Sequence, residues 1–324
     1  MEIALSPLLT LASGVVAISS CLYLTLALLS PPSITPRASE KTYRSVKNLG
    51  SPKELEDIRT SGAAVDLSII IPAYNEVPRL PSMLEAAIKH LSSAKCKGRT
   101  CEILIVDDGS TDGTAEKALE LAKEMYRKWD IRVVSLERNI GKGGAVRHGM
   151  MYGRGRRLLM VDADGASRFE DLEVLWNEMD RINGKDINAA VVIGSRAHLV
   201  KTEAVVKRSL LRNLAMYALH LTLRIIGVGH VHDTQCGFKL FSREAAQVLF
   251  PYQHLRGWIF DVEVLLLAKQ QHIPVAEVPI NWTEVPESKL RLMTDSLLMF
   301  RDLLVLRANQ LTGRWTIPQN KKDQ

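Results

Sequence analysis

Across residues 65–193, short runs of β-branched and aliphatic side chains alternate with stretches of helical periodicity. No other feature of the chain constrains its fold as much. Residues 67–72, 102–106, 131–136, 157–161 and 189–193 read as strands, and 80–91, 114–129, 143–152 and 172–179 as helices. The alternation predicts an α/β fold with a mainly parallel sheet covered by helices on both faces. Ligands of such a sheet bind beyond the carboxyl ends of its strands.

The informative residues stand where the strands stop. The first strand ends in Pro72-Ala73-Tyr74-Asn75-Glu76, the second in Asp107-Asp108-Gly109-Ser110-Thr111-Asp112-Gly113, the fourth in Asp162-Ala163-Asp164-Gly165. Asp and Gly are common turn residues, and Asp112-Gly113 alone reads as a turn or helix cap. Three such clusters at one end of one sheet imply one site. Alternate strand residues point the same way, so Asp162 and Asp164 can converge. Like charges about 4 Å apart repel by about 4 kcal/mol at an effective dielectric of about 20. A divalent cation relieves that repulsion. Hard oxygen ligands favour Mg²⁺ or Mn²⁺, which shares its coordination with substrate phosphates. Arg138-Asn139-Ile140-Gly141-Lys142-Gly143-Gly144-Ala145 is a glycine-rich loop opening a helix, and it reads as a phosphate cradle. It is not a Walker A loop, having no Ser or Thr after Lys142, and it lacks the third glycine of the dinucleotide fingerprint.

The N-terminus has another texture. No charged side chain occurs from residue 3 to residue 30. The apolar core at 8–29 is long enough, at ~1.5 Å per residue, to cross a ~30 Å hydrocarbon layer as a helix. It has no basic flank before it and exceeds the ~7–15 apolar residues of a cleaved signal, so it reads as an uncleaved anchor at 1–30. Only Glu2 precedes the run, whereas Arg37, Lys41, Arg44 and Lys47 follow it. The positive side stays cytoplasmic, so a single-pass topology with a short lumenal N-terminus and a cytosolic domain is expected. Residues 31–65, rich in Pro, Ser and charge, read as a stem, 66–315 as the α/β domain, and 316–324 as a polar tail.

Residues 205–227 begin with Lys207, Arg208 and Arg212 and continue as a long apolar stretch that includes His220. This is either a core helix with a solvated basic end or a helix at a membrane interface whose basic end grips a lipid phosphate. Residues 290–311, with Arg291, Arg301 and Arg307, read as an amphipathic helix packed on the sheet. The net charge of +6 suits an anionic partner. Nucleic acid is not expected, because aromatics are only 6% of the chain and the basic residues are not interleaved with them. Cys21, Cys96, Cys101 and Cys236 lack zinc-site spacing and read as free thiols. His148, His198, His220 and His232 read as structural or surface residues. Asn281-Trp282-Thr283 matches the glycosylation acceptor pattern, which a cytosolic domain leaves unmodified.

Taken together, SIIIPAYNE (68–76), EILIVDDGSTDGT (102–114), NIGKGG (139–144) and DADG (162–165) resemble glycosyltransferase family 2, with its GT-A (Rossmann-like) nucleotide-sugar fold. DTQCGFKLF (233–241), WIFDVE (258–263) and NWTEVPESK (281–289) are similar to the dolichyl-phosphate β-glucosyltransferase branch of that family. The resemblance covers about residues 66–315. It departs at Pro286-Glu287, where a glycine is expected before Ser288.

The resemblance implies an inverting transfer of glucose from UDP-glucose to dolichyl phosphate at the endoplasmic reticulum membrane. The product, dolichyl β-D-glucosyl phosphate, would serve N-glycan assembly. By the same resemblance Pro72, Tyr74 and Glu76 line the nucleoside pocket, with Glu76 near the ribose. Asp107 reads the uracil edge and Lys142 lies near the nucleotide. Asp162 and Asp164 hold Mg²⁺ or Mn²⁺ on the diphosphate. Arg196 and Lys289 face the reacting phosphates, Asp233 and Asp261 shape the sugar side, and Arg208, Arg212 and Lys289 take the acceptor phosphate. A phosphate monoester has its second pKa near ~6, so it is already an anionic nucleophile and needs no strong base. The alternatives are mannosyl transfer from GDP-mannose, by a relative that shares most of these motifs; transfer to another lipid phosphate, such as a bacterial polyprenyl phosphate; and a non-catalytic, membrane-tethered nucleotide-sugar binder.

Overall fold

The computed structural model describes residues 7–124, 128–184, 188–199, 229, 231–285, 289 and 291–317. Arg208, Arg212 and the whole of 205–227 lie outside the described residues, as do Pro286, Glu287 and Ser288. Pro7–Leu29 (α1) is a 23-residue helix, long and apolar enough to cross a membrane. Among the described residues, nine strands follow in one sheet: Thr42–Ser45 (β1), Lys53–Glu54 (β2), Val65–Ala73 (β3), Cys101–Asp107 (β4), Asp130–Ser135 (β5), Gly155–Val161 (β6), Val191–Ser195 (β7), Phe238–Ser242 (β8) and Val275–Pro279 (β9). Their order is β2-β1-β5-β4-β3-β6-β8-β7-β9. Strands β5, β4, β3 and β6 pair in parallel. Strand β8 is antiparallel to both β6 and β7, and β9 is parallel to β7. Strands β3, β4, β5, β6, β7 and β9 thus run the same way, and their carboxyl ends share one edge of the sheet. Because Val161 pairs with Phe238, the segment entering β8 lies at that edge too.

Both faces of the central strands are apolar, as a sheet covered on both sides requires. Along β3, Leu67, Ile69 and Ile71 point into one core and Ile70 into the other; Ile103 and Ile105 oppose Leu104 and Val106 in the same way on β4. The first core is closed by Leu80–Leu91 (α2), Thr114–Glu124 (α3) and Leu172–Asn183 (α5). The second is closed by Lys142–Tyr152 (α4), Arg243–Leu249 (α6), Phe260–Gln270 (α7) and Leu292–Leu311 (α8). Helix α2 shows why these segments are helical: Leu80, Met83, Leu84, Ala87, Ile88 and Leu91 form one buried face.

Two expectations differ from the structure. The helix expected over 114–129 runs as α3 to Glu124. Residues 125–127 lie outside the described residues, and Trp129 is not helical but packs on the core just before β5. Residues 31–65 do not hang as a plain spacer. Strand β1 pairs with β5, and Ile58 is fully buried. Arg256 donates to the Pro32 and Ser33 carbonyls at 2.6 and 3.1 Å, and Arg147 to the Ile34 carbonyl at 3.1 Å.

Candidate active site

A cavity of ≈ 610 Å³ opens at the shared edge. The loops after β3 and β4 form one wall and are laced together. Asn75 adopts a left-handed backbone (φ 54°); its N–H donates to Ser110 Oγ, and its Oδ1 accepts from the Thr111 N–H. Asp112 accepts from the Thr114 and Val77 N–H groups at 3.0 and 3.1 Å, the turn-and-cap role its position suggests. Pro72, half-exposed Tyr74 and buried Glu76 line the cavity. Glu76 accepts from Arg79 at 2.6 and 2.7 Å and from Lys289 Nζ at 2.6 Å. Lys289 also donates to the Tyr74 and Asn75 carbonyls, so it ties the chain after β9 to the loop after β3.

In the Asp107-Asp108 pair the structure separates two roles. Asp107 Oδ1 accepts from the Ser110 N–H at 3.2 Å, and the residue is buried away from the cavity wall. It is Asp108 that lines the cavity, accepting from the Ile140 and Gly141 N–H groups at 2.8 and 3.0 Å. Burial pushes its carboxyl up to about 7. These bonds change the reading of the glycine-rich loop. Two of its N–H groups go to Asp108, and the Gly144 N–H goes to the Arg256 carbonyl at 3.2 Å. Its glycines serve close packing: a Cβ at Gly141 would sit 2.5 Å from the Arg256 oxygen, and one at Gly143 would sit 2.5 Å from Phe260 Cβ. A free phosphate cradle is therefore not what these residues form.

The opposite wall carries the acidic pair at the end of β6. Lys142 Nζ reaches both oxygens of Asp162, at 2.7 and 2.8 Å, and lies 5.6 Å from the Trp258 ring centroid. Burial opposes the Lys142 ammonium, but the Asp162, Asp261 and Asp164 carboxylates outweigh it and hold its pKa above the ordinary value. Asp164 Oδ1 accepts from the Ala166 N–H at 2.9 Å; burial first, then the Asp162 charge, raises its carboxyl. Asp162 is pinned from behind. Its N–H donates to the Gly237 carbonyl at 3.1 Å, and a Cβ on Gly237 would fall 2.0 Å from Oδ2. Two hard carboxylate donors, one residue apart on one cavity wall, fit a divalent cation.

Three expected residues support the wall from outside the cavity lining. Arg196 makes a bidentate pair with Asp233, at 2.7 and 2.9 Å, and its guanidinium lies 5.3 Å from the ring of cavity-lining Trp282. Burial would raise Asp233, but Arg196 holds it below the usual carboxylate range. Asp261 is buried beneath the site and paired with Lys239 Nζ at 2.8 Å. None of the described histidines lines the cavity. His148 is buried against Tyr152, which pushes it down to about 4, and His232 pairs with Glu277 on the surface. Asn281 is held by Asp171, at 3.1 and 3.2 Å from its side-chain nitrogen.

Asp162, Asp164, Lys142, Glu76, Tyr74, Pro72 and Lys289 thus meet in one cavity. Sequence reasoning missed Asp108, Arg79, Trp258 and Arg291 on its walls, and Lys239 below it. The spacing of Arg79 three residues after Glu76, at a helix start, was the one local signal for an ion pair there.

Residues 68–250 match the family described as Glycosyl transferase family 2. Dolichyl-phosphate β-glucosyltransferase of Saccharomyces cerevisiae is 42% identical over 95% of this chain and 94% of its own length. The enzyme of that name from Dictyostelium discoideum is 47% identical over 78% of this chain and 76% of its own. Among solved structures, glucosyl-3-phosphoglycerate synthase of Mycobacterium tuberculosis, in complex with Mn²⁺, UDP-glucose and phosphoglyceric acid, aligns with a TM-score of 0.52. It is 19% identical and covers 78% of this chain and 82% of that one, a likeness of fold.

Proposed function

Since the chain belongs to glycosyltransferase family 2, and within it to the dolichyl-phosphate β-glucosyltransferases, we propose that it moves glucose from UDP-glucose to dolichyl phosphate with inversion at the anomeric carbon. One observation carries this reading. A cavity of nucleotide-sugar size sets the Asp162–Asp164 pair among Arg79, Lys142, Lys289 and Arg291, with no histidine among its described lining. That is a site built to bind phosphates.

Asp162 and Asp164 would hold Mg²⁺ or Mn²⁺, which neutralises the donor diphosphate and stabilises the leaving UDP. Pro72 and Tyr74 offer a face to the base. An oxygen of the acceptor phosphate attacks the anomeric carbon, and the bond from that carbon to the UDP oxygen breaks, its electron pair leaving with UDP. The protein's task is to bring two phosphates together against their repulsion, and Lys142, Lys289 and Arg291 supply the positive charge for it. Gly237 and Lys142 fix the Asp162 carboxylate from behind and from the front.

The bilayer enters the same reading. Helix α1 spans the endoplasmic reticulum membrane once, with the short N-terminus lumenal and the catalytic domain cytosolic, in accord with Arg37, Lys41, Arg44 and Lys47 after it. The test is a transfer assay on detergent-solubilised protein with dolichyl phosphate and Mg²⁺, offering UDP-glucose and GDP-mannose separately beside an Asp164→Ala control. Metal-dependent glucosyl-lipid from UDP-glucose, absent in the control, is expected. Product from GDP-mannose alone would move the donor assignment to mannose. No product from either would leave a nucleotide-sugar binder.

A further inference from the structure

The chain that follows β9 forms the cavity wall beside Asp164. Ser167 and Trp282 make an antiparallel bridge. The Arg168 N–H donates to the Asn281 carbonyl at 3.1 Å and the Thr283 N–H to the Ala166 carbonyl at 2.9 Å. The Ala166 N–H in turn donates to Asp164 Oδ1 at 2.9 Å, so Ala166 alone links Thr283 to the acidic pair. Residues two apart in an extended segment point the same way, and Trp282 and Glu284 both line the cavity. The Arg196 guanidinium braces the Trp282 ring from outside the cavity lining, 5.3 Å from its centroid, and is itself held by Asp233. Glu284 is exposed, and among the described residues no partner engages its carboxylate.

Neither side chain suits a phosphate: a carboxylate repels one, and an aromatic face offers it no donor. Both suit a hexose. A pyranose presents C–H groups on its faces, which pack on an aromatic ring, and hydroxyls around its edge, which donate to a carboxylate. Position agrees with chemistry. Along the sheet edge the order is β3, β6, β8, β7, β9. Pro72 and Tyr74 stand at the end of β3 and the acidic pair at the end of β6, whereas Trp282 follows β9 and touches Arg196 after β7. A donor with its base at Pro72 and Tyr74 and its diphosphate at Asp162 and Asp164 carries its sugar one bond further along this line. We propose that Trp282 and Glu284 form the hexose subsite of the donor, Trp282 packing on a face of the sugar and Glu284 accepting from its hydroxyls. The inference rests on the reading of the cavity as a nucleotide-sugar site, and it names the residues there that read the sugar.

The test is isothermal titration calorimetry on the detergent-solubilised full chain, with Mg²⁺ and without acceptor. UDP and UDP-glucose are titrated separately into the parent, Trp282→Leu, Trp282→Phe and Glu284→Ala. The two ligands share the nucleotide, so a change confined to UDP-glucose belongs to the sugar. Trp282→Leu and Glu284→Ala should each weaken UDP-glucose by about tenfold and leave UDP within about twofold of the parent. Trp282→Phe keeps an aromatic face and should recover most of the Trp282→Leu loss. Equal weakening of UDP and UDP-glucose would mean that the two residues serve the nucleotide or the fold of the wall, and would overturn the proposal. Unchanged UDP-glucose affinity would place the sugar elsewhere and overturn it equally. Glu284 is exposed, so Glu284→Ala keeps the test decisive where Trp282→Leu fails to fold. A parent that binds neither ligand would remove the nucleotide-sugar reading itself, and this inference would fall with it.

Discussion

The Lys142 ammonium bridges both oxygens of Asp162, at 2.7 and 2.8 Å, on the wall where two carboxylates converge. One cation of the protein and any divalent ion therefore compete for one carboxylate. Lys142→Met should tighten Mn²⁺ binding to the nucleotide-free protein by about tenfold, equivalent to ~1.4 kcal/mol. The same substitution should slow transfer at saturating metal, because the donor phosphates lose a positive neighbour. Electron paramagnetic resonance of free Mn²⁺ reads the affinity directly. Weaker Mn²⁺ binding in the variant would show that Lys142 supports the metal site instead of competing for it.

Gly237 bears on the same carboxylate from the opposite side. A Cβ there would lie 2.0 Å from Asp162 Oδ2, and the backbone has little room to retreat because the Gly237 carbonyl accepts the Asp162 N–H. Gly237→Ala should displace the carboxylate by a fraction of an ångström to an ångström and lower kcat by about 100-fold. The circular dichroism spectrum should be unchanged. Activity within twofold of the parent would mean that the Asp162 carboxylate need not sit where this packing holds it.

Asp108 and His148 should shape the pH dependence of stability in opposite senses. Asp108 titrates near 7 in the folded protein and near ~3.9 unfolded, so between these values the folded state holds the extra proton. Its contribution is full below ~3.9 and declines as pH rises through about 7, by up to ~1.4 kcal/mol per pH unit. His148 titrates near 4 folded and near 6.5 unfolded, so its contribution is full above 6.5 and declines as pH falls toward 4. The two slopes cancel between about 4 and 6.5. Asp108→Asn should leave a Tm that climbs with pH across that window, and His148→Gln a Tm that falls. Parallel Tm profiles for the parent and both variants would contradict the assignment.

Much of this site was legible because its residues sit at the ends of strongly patterned strands. The ends of β3, β4 and β6 carry Glu76, the Asp107-Asp108 pair and the Asp162–Asp164 pair, and alternation along each strand located them. What sequence could not resolve depends on partners far along the chain. Asp107 and Asp108 are chemically identical neighbours, and only the approach of Ile140 and Gly141 decides which one faces the cavity. Lys289 meets Glu76 across 213 residues. Strand β1 is four residues in a polar stretch, and it is a strand because β5 offers an open edge. The glycines at 141 and 143 resemble a phosphate loop in sequence, yet the bodies they admit are Arg256 and Phe260.

Lys239 is the clearest case of a residue hidden from sequence and exposed by packing. It stands on β8 opposite Met160 and Ile193, two residues after Gly237, with its ammonium 2.8 Å from Asp261 Oδ1. The two side chains are 2% and 3% exposed, so neither charge can be solvated on its own. Lys239→Met would leave Asp261 buried without its partner and should destabilise the fold by about 3–5 kcal/mol. Adding Asp261→Asn to that variant removes the stranded charge and should recover much of the loss. Chemical denaturation of the parent, the two single variants and the double variant gives the coupling energy of the pair. A double variant whose loss equals the sum of the single losses would mean that the two groups contribute independently. A large positive recovery would establish that β8 and α7 are joined beneath the cavity by one charge pair.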